Sequence, residues 1–194
     1  MGNPKIAAFA SVVAMALTLV FGFGVASATT LEEFGTAKNQ SVTIEATLAS
    51  GTSALLKDEF GTTTDTCTTS QVSGSTEGTF TGSTVGGFIW STSGGNCSHT
   101  TTILSGGKFS IGWTSGTNGT VKSSEFELTV LSTFFGASAV CKTGSGTSLG
   151  TLTGVSSGNA TVDVNAKVNC GILGNATFTG TYSVTRPFGL GVVS

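Results

Sequence analysis

The sequence predicts an all-β domain, an antiparallel sandwich or barrel of the immunoglobulin-like or Greek-key type. Apolar and polar residues alternate with period two in many short segments, and clusters of Gly, Ser and Asn separate these segments. No amphipathic helical pattern lies between them. The 29 glycines and 35 threonines point the same way, because both residue types are poor helix formers. Many short strands separated by turn signals, without helices between them, are typical of sandwiches and barrels.

The first 28 residues have the pattern of a secretory signal helix. A short segment with Lys5 precedes a nearly continuous apolar run over 6–25, and Ala26-Ser27-Ala28 supplies small residues of the kind that signal peptidase accepts. We therefore predict cleavage after Ala28 and one all-β domain over 29–194. The alternative is an uncleaved anchor, since about 20 apolar residues can span a bilayer.

Alternation predicts about ten strands in the mature chain. In 41–48 it places Val42, Ile44, Ala46 and Leu48 on one face, and 126–131 and 161–168 have the same pattern. The other predicted strands are 65–72, 78–85, 87–92, 99–104, 108–115, 137–143, 149–155 and 176–185.

Glycine pairs and one Asn-Gly step mark the predicted turns between strands. These turns are Gly86-Gly87, Gly94-Gly95, Gly106-Gly107 and Asn118-Gly119. A single segment, 53–60, has the spacing of a short helical turn, through Leu55, Leu56 and Glu59.

Four cysteines, Cys67, Cys97, Cys141 and Cys170, follow the signal segment, and in an oxidising compartment they predict two disulfides. Four cysteines allow three pairings. Their wide spacing lacks the close pairs of a zinc site, so we predict no metal and no other cofactor.

Two parts of the chain resemble each other, which suggests an internal duplication with halves 29–122 and 123–194. Gly78-Thr79-Phe80-Thr81-Gly82 lies between the first two cysteines, and Gly150-Thr151-Leu152-Thr153-Gly154 lies between the second two. Duplication favours the bonds Cys67–Cys97 and Cys141–Cys170, one in each half. A bond that joins the halves, such as Cys97–Cys141, is the competing arrangement.

The charge balance argues against nucleic acid as a partner. Eight Lys and Arg residues stand against ten Asp and Glu residues, which is too few cations for a strong basic face. We expect contact with a membrane only through the signal segment before cleavage.

The sequence contains no convincing catalytic set. Two G-x-S-x-G strings, 146–150 and 154–158, lack the strand-to-helix elbow of a hydrolase nucleophile. His99 is the single histidine, so any Ser/His/Asp triad would have to include it, and its place beside Cys97 favours a structural role. The acidic pairs Glu32-Glu33, Asp58-Glu59 and Glu125/Glu127 could supply the two carboxylates of a glycosidase, but we interpret them as solvated strand edges. We therefore predict that the protein is not an enzyme.

Carbohydrate binding is the strongest ligand hypothesis. Phe88, Trp90, Trp113 and Tyr182 are the candidates for stacking on sugar rings, and core packing is the competing role for each of them. A further alternative is an envelope β-barrel pore, which low charge and strand alternation would suit.

Three short strings and the four cysteines give the chain a recognisable layout. The strings are Gly78-Thr79-Phe80-Thr81-Gly82-Ser83, Trp113-Thr114-Ser115-Gly116-Thr117-Asn118-Gly119-Thr120-Val121 and Gly150–Gly154. In this layout the chain resembles a group of small uncharacterised secreted bacterial proteins, over nearly all of the mature region. The resemblance implies a bacterial exported protein and transfers no functional residue.

The sequence thus predicts a non-enzymatic, secreted or cell-envelope structural or interaction protein that two disulfides stabilise. Its partner would be an unknown envelope or extracellular molecule, or a second copy of the chain, because residues that block sheet edges are scarce. Five Asn-x-Ser/Thr sequons occur, at Asn39, Asn96, Asn118, Asn159 and Asn175, and in a eukaryotic secreted protein they would be glycan sites.

Overall fold

The computed structural model describes residues 29–38, 40–75, 85–86, 96–99, 101–105, 108–124, 127–132, 137–144, 146–171 and 174–194. Sixteen β-strands and no α-helix lie within this described part. The first eight are β1 (Thr30–Glu33), β2 (Thr36–Ala37), β3 (Thr43–Leu48), β4 (Ala54–Asp58), β5 (Thr63–Cys67), β6 (Gln71–Ser75), β7 (Val85–Gly86) and β8 (Thr101–Ser105). The last eight are β9 (Lys108–Ser115), β10 (Asn118–Ser124), β11 (Glu127–Ser132), β12 (Ala137–Lys142), β13 (Thr147–Thr153), β14 (Thr161–Asn169), β15 (Asn175–Arg186) and β16 (Leu190–Val193).

The predicted all-β, antiparallel fold class is confirmed. Thirteen of the described strands form one sheet whose main path is β5-β4-β15-β14-β13-β10-β9-β7, and the other three form a small sheet in the order β16-β1-β2. The path is not closed into a barrel within the described residues, and the arrangement is that of a sandwich.

A long hairpin, β14–β15, belongs to two layers at once. The C-terminal part of β15 pairs with β3 and the N-terminal part of β14 pairs with β13, whereas the other end of the hairpin pairs with β4 and β12. The first layer is therefore β6-β3-β15-β14-β13-β10-β9-β7, and the second layer is β5-β4-β15-β14-β12-β11-β8. Long strands that switch sheets at a bend are typical of the corners of orthogonally packed sandwiches.

The small sheet covers the inner face of the first layer at one end. Leu31 of β1 and Leu190 and Val192 of β16 are almost completely buried. The amide of Val192 donates to the carbonyl of Thr117 in the turn between β9 and β10, and β16 packs against both of these strands. One contiguous core runs through the layers and this small sheet.

The alternation read from the sequence gives the observed inward faces. Ile44 and Ala46 of β3 are buried, and Val164, Ala166 and Val168 of β14 are buried. Side chains of a strand point alternately to its two faces, so a strict period of two fixes the face that meets the core.

The prediction of one strand over 65–72 is wrong. The chain forms β5 up to Cys67, leaves the strand at 68–70 and begins β6 at Gln71. The break occurs because β5 lies at the edge of the second layer and β6 at the edge of the first layer, so the chain changes layers between them.

The helical turn predicted for 53–60 is also wrong, because Ala54–Asp58 is strand β4. β4 pairs with β5 on one side and with β15 on the other. This pairing satisfies its backbone groups, and the inward face of the strand buries Ala54 and Leu56 in the core. The tertiary pairing outweighs the weak local spacing.

Asn118-Gly119 is not the turn between β9 and β10. The turn lies at Gly116-Thr117, and residues 118 and 119 already belong to β10. Gly119 allows a close approach instead, because a Cβ atom there would lie 2.7 Å from Ile111 Cγ2 and 2.9 Å from the carbonyl oxygen of Gly112.

Several predicted features lie outside the described residues. They are the signal segment 1–28, the strands 78–85 (except Val85) and 87–92, and the turns Gly94-Gly95 and Gly106-Gly107. The turn predicted at Gly86-Gly87 is described only at Gly86, which belongs to β7.

Candidate functional site

The two disulfides are Cys67–Cys97 and Cys141–Cys170. This is the pairing that the duplication hypothesis favours, and it differs from the competing bond Cys97–Cys141. Cys67 and Cys97 also face each other as an antiparallel bridge, and Cys141 of β12 joins the residue that follows β14. The duplication itself stays a prediction.

A buried carboxylate, Asp65, lies beside the first disulfide. Its Oδ1 accepts hydrogen bonds from the amide of Thr66 at 2.8 Å, from Ser98 Oγ at 2.7 Å and from the amide of His99 at 3.0 Å. The side chain of Asp65 is nearly inaccessible to solvent. These hydrogen bonds stabilise the buried Asp65 carboxylate, and those from Ser98 and His99 hold segment 96–99 against β5.

Ser98, His99 and Asp65 do not form a relay that would activate a nucleophile. Ser98 Oγ donates its hydrogen bond to Asp65 Oδ1, and His99 Nδ1 lies 3.4 Å from Ser98 Oγ and 3.6 Å from Asp65 Oδ1. In a working triad, one imidazole nitrogen accepts from the serine while the other donates to the carboxylate. Here the same nitrogen faces both groups.

The same region brings metal-ligand atoms together. A carboxylate oxygen of Asp65 and the sulfurs of Cys67 and Cys97 lie within 4.8 Å of one another. Both sulfurs belong to a disulfide, so neither is the thiolate that a soft metal needs. The chemistry of this cluster is that of a structural clamp.

The four aromatic residues proposed for sugar binding have different positions. Tyr182 is 1% exposed, so no face of its ring is open to a sugar in the folded domain. Trp113 packs against the core, and its indole N–H donates to the carbonyl of Gly116 at 2.9 Å. Phe88 and Trp90 lie outside the described residues.

The hydroxyl of Tyr182 forms a hydrogen bond with that of Ser70, at 3.0 Å between the two oxygens. Burial raises the pKa of Tyr182 to about 12, and the hydrogen bond with Ser70 lowers it slightly against that effect. The phenol is therefore a neutral core group at physiological pH.

An apolar cavity of about 70 Å³, which we call the core cavity, lies on the inner face of the first layer. Its walls are Ile44, Ala46, Val72, Phe109, Ile111, Val121, Leu149, Leu152, Val162, Val164, Tyr182, Val184 and Leu190. In a flat sheet the strands from β6 to β9 would span about 29 Å, at roughly 4.8 Å for each of the six spacings. Because β6 and β9 both line one small space, the first layer must be strongly curled around it.

Two phenylalanines form an exposed surface at the turns of the small sheet. Phe34, in the turn between β1 and β2, is 60% exposed, and Phe188, in the turn between β15 and β16, is 52% exposed. The amide of Phe34 donates to the carbonyl of Gly189 at 2.9 Å, so the two turns are in direct contact. We call this pair the Phe34–Phe188 surface.

The backbone at Phe34 has an uncommon conformation. Its φ is 52°, in the left-handed region that is costly for a bulky residue. The ring lies against the neighbouring turn, because a Cβ atom at Gly189 would meet Phe34 Cδ1 at 3.0 Å. The fold thus holds an exposed aromatic side chain in a position that asparagine or glycine would occupy at lower cost.

Sequence reasoning missed Asp65 and the Phe34–Phe188 surface. Asp65 lies two residues before Cys67 on the same strand, and residues two apart share one face of a strand. Alternation therefore predicts that the Asp65 carboxylate lies on the same face as Cys67. Phe34 precedes Gly35 in a tight turn, but nothing in the local sequence reveals that Phe188 lies in the neighbouring turn.

No residue in the described part forms a helix with the length and apolar character needed to cross a membrane. No family model matches the chain. No curated protein and no solved structure matches it either.

Proposed function

We propose that this chain is a non-enzymatic interaction protein of the cell envelope or the extracellular space, and that it binds its partner through the Phe34–Phe188 surface. The observation that carries the proposal is the exposure of both rings together with the left-handed backbone of Phe34. A strained backbone costs free energy, and an exposed side chain adds little to the stability of the core. This combination favours a role in binding.

The contact between the two turns gives the surface a defined shape. The amide of Gly189 donates to the carbonyl of Gly158 at 2.7 Å, so the loop after β13 supports the turn that carries Phe188. A partner would therefore meet two rings on a supported base, and little conformational entropy would be lost on binding. Aromatic side chains that become buried when two proteins bind supply much of the affinity of the interface.

Two further features support the proposal. The two disulfides are typical of extracellular or envelope proteins. Ser98 donates its hydrogen bond to Asp65, which favours a structural role over a catalytic one for the residues around His99.

The carbohydrate-binding alternative has less support, because Tyr182 is a core residue and Trp113 packs against the core. An envelope pore also has less support, because the described sheet is open.

The test is a quantitative binding measurement with the mature protein on isolated envelope material. The double variant Phe34→Asn/Phe188→Ser removes both rings, and asparagine tolerates the left-handed backbone. We expect this variant to lose at least roughly tenfold in affinity, as for the loss of an anchor residue, without a loss of thermal stability.

The matched control is Phe60→Ser, since Phe60 is 86% exposed in the turn between β4 and β5 and lies outside the proposed surface. This variant should bind like the wild type. Equal binding by the double variant, or an equal loss in the Phe60 control, would contradict the proposal. Sedimentation over a range of protein concentrations shows whether the partner is a second copy of the chain.

A further inference from the structure

The core cavity is a space of a kind that well-packed proteins seldom leave empty. Most of its wall residues are buried, and Val72 and Val162 are the half-buried ones, so the cavity comes nearest to solvent at these two valines. Val72 lies on β6, an edge strand of the first layer as described. The cavity lining therefore reaches an edge strand of the described first layer.

The walls of the core cavity offer a ligand no polar group to bind. Twelve of the wall residues have hydrocarbon side chains, and the thirteenth is Tyr182, whose hydroxyl is engaged with Ser70. A buried water needs two to four polar partners, and purely apolar cavities stay dry and take up apolar molecules instead. The chemistry of the walls therefore selects a hydrocarbon.

The size of the space limits that hydrocarbon further. Since an apolar cavity of about 150 Å³ holds one benzene ring, a cavity of about 70 Å³ holds roughly three carbon atoms of a ligand. This is the end of an alkyl chain, and it is too small for a sterol or a fused ring system.

We propose that the core cavity binds the terminal segment of a straight hydrocarbon chain, such as the end of an acyl chain, with the polar part of the ligand outside near Val72 and Val162. The ligand fills the space between the curled strands of the first layer. This role is independent of the Phe34–Phe188 surface, which lies at the turns of the small sheet.

The first part of the test compares two chemically identical substitutions in buried strand positions. Ala46 of β3 lines the cavity, whereas Ala166 of β14 is equally buried but does not line it. Ala46→Val should leave the Tm unchanged or raise it, because its new methyl groups enter empty space. Ala166→Val should lower the Tm by roughly 3–10 °C, because it overpacks a filled core.

The second part measures ligand binding with octanoate as the probe and adamantane carboxylate as the control, by the methyl NMR signals of Val121, Leu152 and Val184. Both probes carry one carboxylate, but only octanoate has a narrow apolar end. We expect octanoate to shift these signals in the wild type, adamantane carboxylate not to shift them, and Ala46→Val to weaken octanoate binding at least roughly tenfold.

Every other outcome overturns the proposal. Equal binding of both probes, or full binding to Ala46→Val, would indicate surface adsorption. No shift with octanoate, even when xenon shifts the same signals, would indicate a closed packing void only. If Ala46→Val does not fold, Val184→Ile provides the second filled variant, since it adds one methyl group to the cavity wall, and the same outcomes apply.

Discussion

Tyr182 shows at the scale of one residue how burial changes chemistry in this domain. It is the largest of the fully buried described side chains, and its hydroxyl meets Ser70 from the loop between β5 and β6. Asp65 is a second core group whose chemistry depends on its surroundings, because its Oδ1 accepts hydrogen bonds from Ser98 Oγ and from the amides of Thr66 and His99. Every buried side-chain nitrogen or oxygen in the described part has a hydrogen-bond partner.

The raised pKa of Tyr182 predicts a loss of stability in alkali. The unfolded phenol releases its proton above its ordinary pKa of 10.0, but the folded phenol keeps it until about 12. The unfolded state then binds fewer protons, so the free energy of unfolding falls as pH rises through this interval, by about 2–3 kcal/mol in total. Urea unfolding over a pH series measures this decline.

Tyr182→Phe is the control for this prediction, because Tyr182 is the single tyrosine of the chain. The variant should lose about 1 kcal/mol at neutral pH with the hydrogen bond to Ser70, and the tyrosine-dependent part of the alkaline decline should vanish. Parallel pH profiles for the two proteins would show that Tyr182 does not cause the decline.

At the scale of one element, β13 carries an irregularity that shapes the first layer. Its register against β10 shifts between Val121 and Lys122, so Leu149 is the extra residue of a β-bulge and turns into the core. Gly150 follows with a φ of 154°, and a Cβ atom there would lie 1.9 Å from the carbonyl oxygen of Asp163. The bulge bends the strand at the place where the layer curls around the cavity.

Gly150→Ala should therefore destabilise the protein by more than about 3 kcal/mol, because the new methyl group collides with backbone that cannot move without breaking the pairing of β13 and β14. Gly144→Ala is the matched control, since a Cβ atom there has only an ordinary contact, 3.5 Å from Thr147 Oγ1. Urea midpoints of the two variants provide the comparison. Similar midpoints would mean that the bulge does not require glycine.

These elements also show what could be read from the sequence. The strand 161–168 was predictable, because strict alternation of valine and alanine with polar residues fixes both its type and its buried face. β4 was not predictable, because only its pairing with β5 and β15 outweighs the helical spacing of its leucines. The bulge at Leu149 and Gly150 depends on the register with β10, which no local pattern contains.

At the scale of the whole molecule, the two layers are stabilised in different ways. The described core of the first layer contains large side chains around the cavity, including Phe109, Ile111 and Tyr182. The described core of the second layer contains many alanines, among them Ala54 and Ala139, and both disulfides lie there. Small side chains bury less apolar area, so covalent links contribute more to that layer.

Removal of either disulfide, by Cys67→Ser/Cys97→Ser or by Cys141→Ser/Cys170→Ser, should lower the free energy of unfolding by about 3–4 kcal/mol. The two losses should be similar, because the bonds close loops of nearly equal length, with sequence separations of 30 and 29. Hydrogen exchange should show faster opening of β4, β5 and β12, with β9, β10 and β13 less affected. Uniform loss of protection in both layers would contradict this division.

The all-β class and the inward faces of the regular strands could be predicted from the sequence, because a period of two is a local pattern. The cysteine pairing was favoured only through the duplication hypothesis, since four cysteines allow three pairings. Four features could be found only in the tertiary structure. β14 and β15 belong to two layers, and Tyr182 is a core residue. Asp65 holds segment 96–99 in place, and Phe34 lies beside the turn of Phe188. Each of these depends on contacts between residues far apart in the chain, and such contacts are set by register and curvature rather than by local pattern.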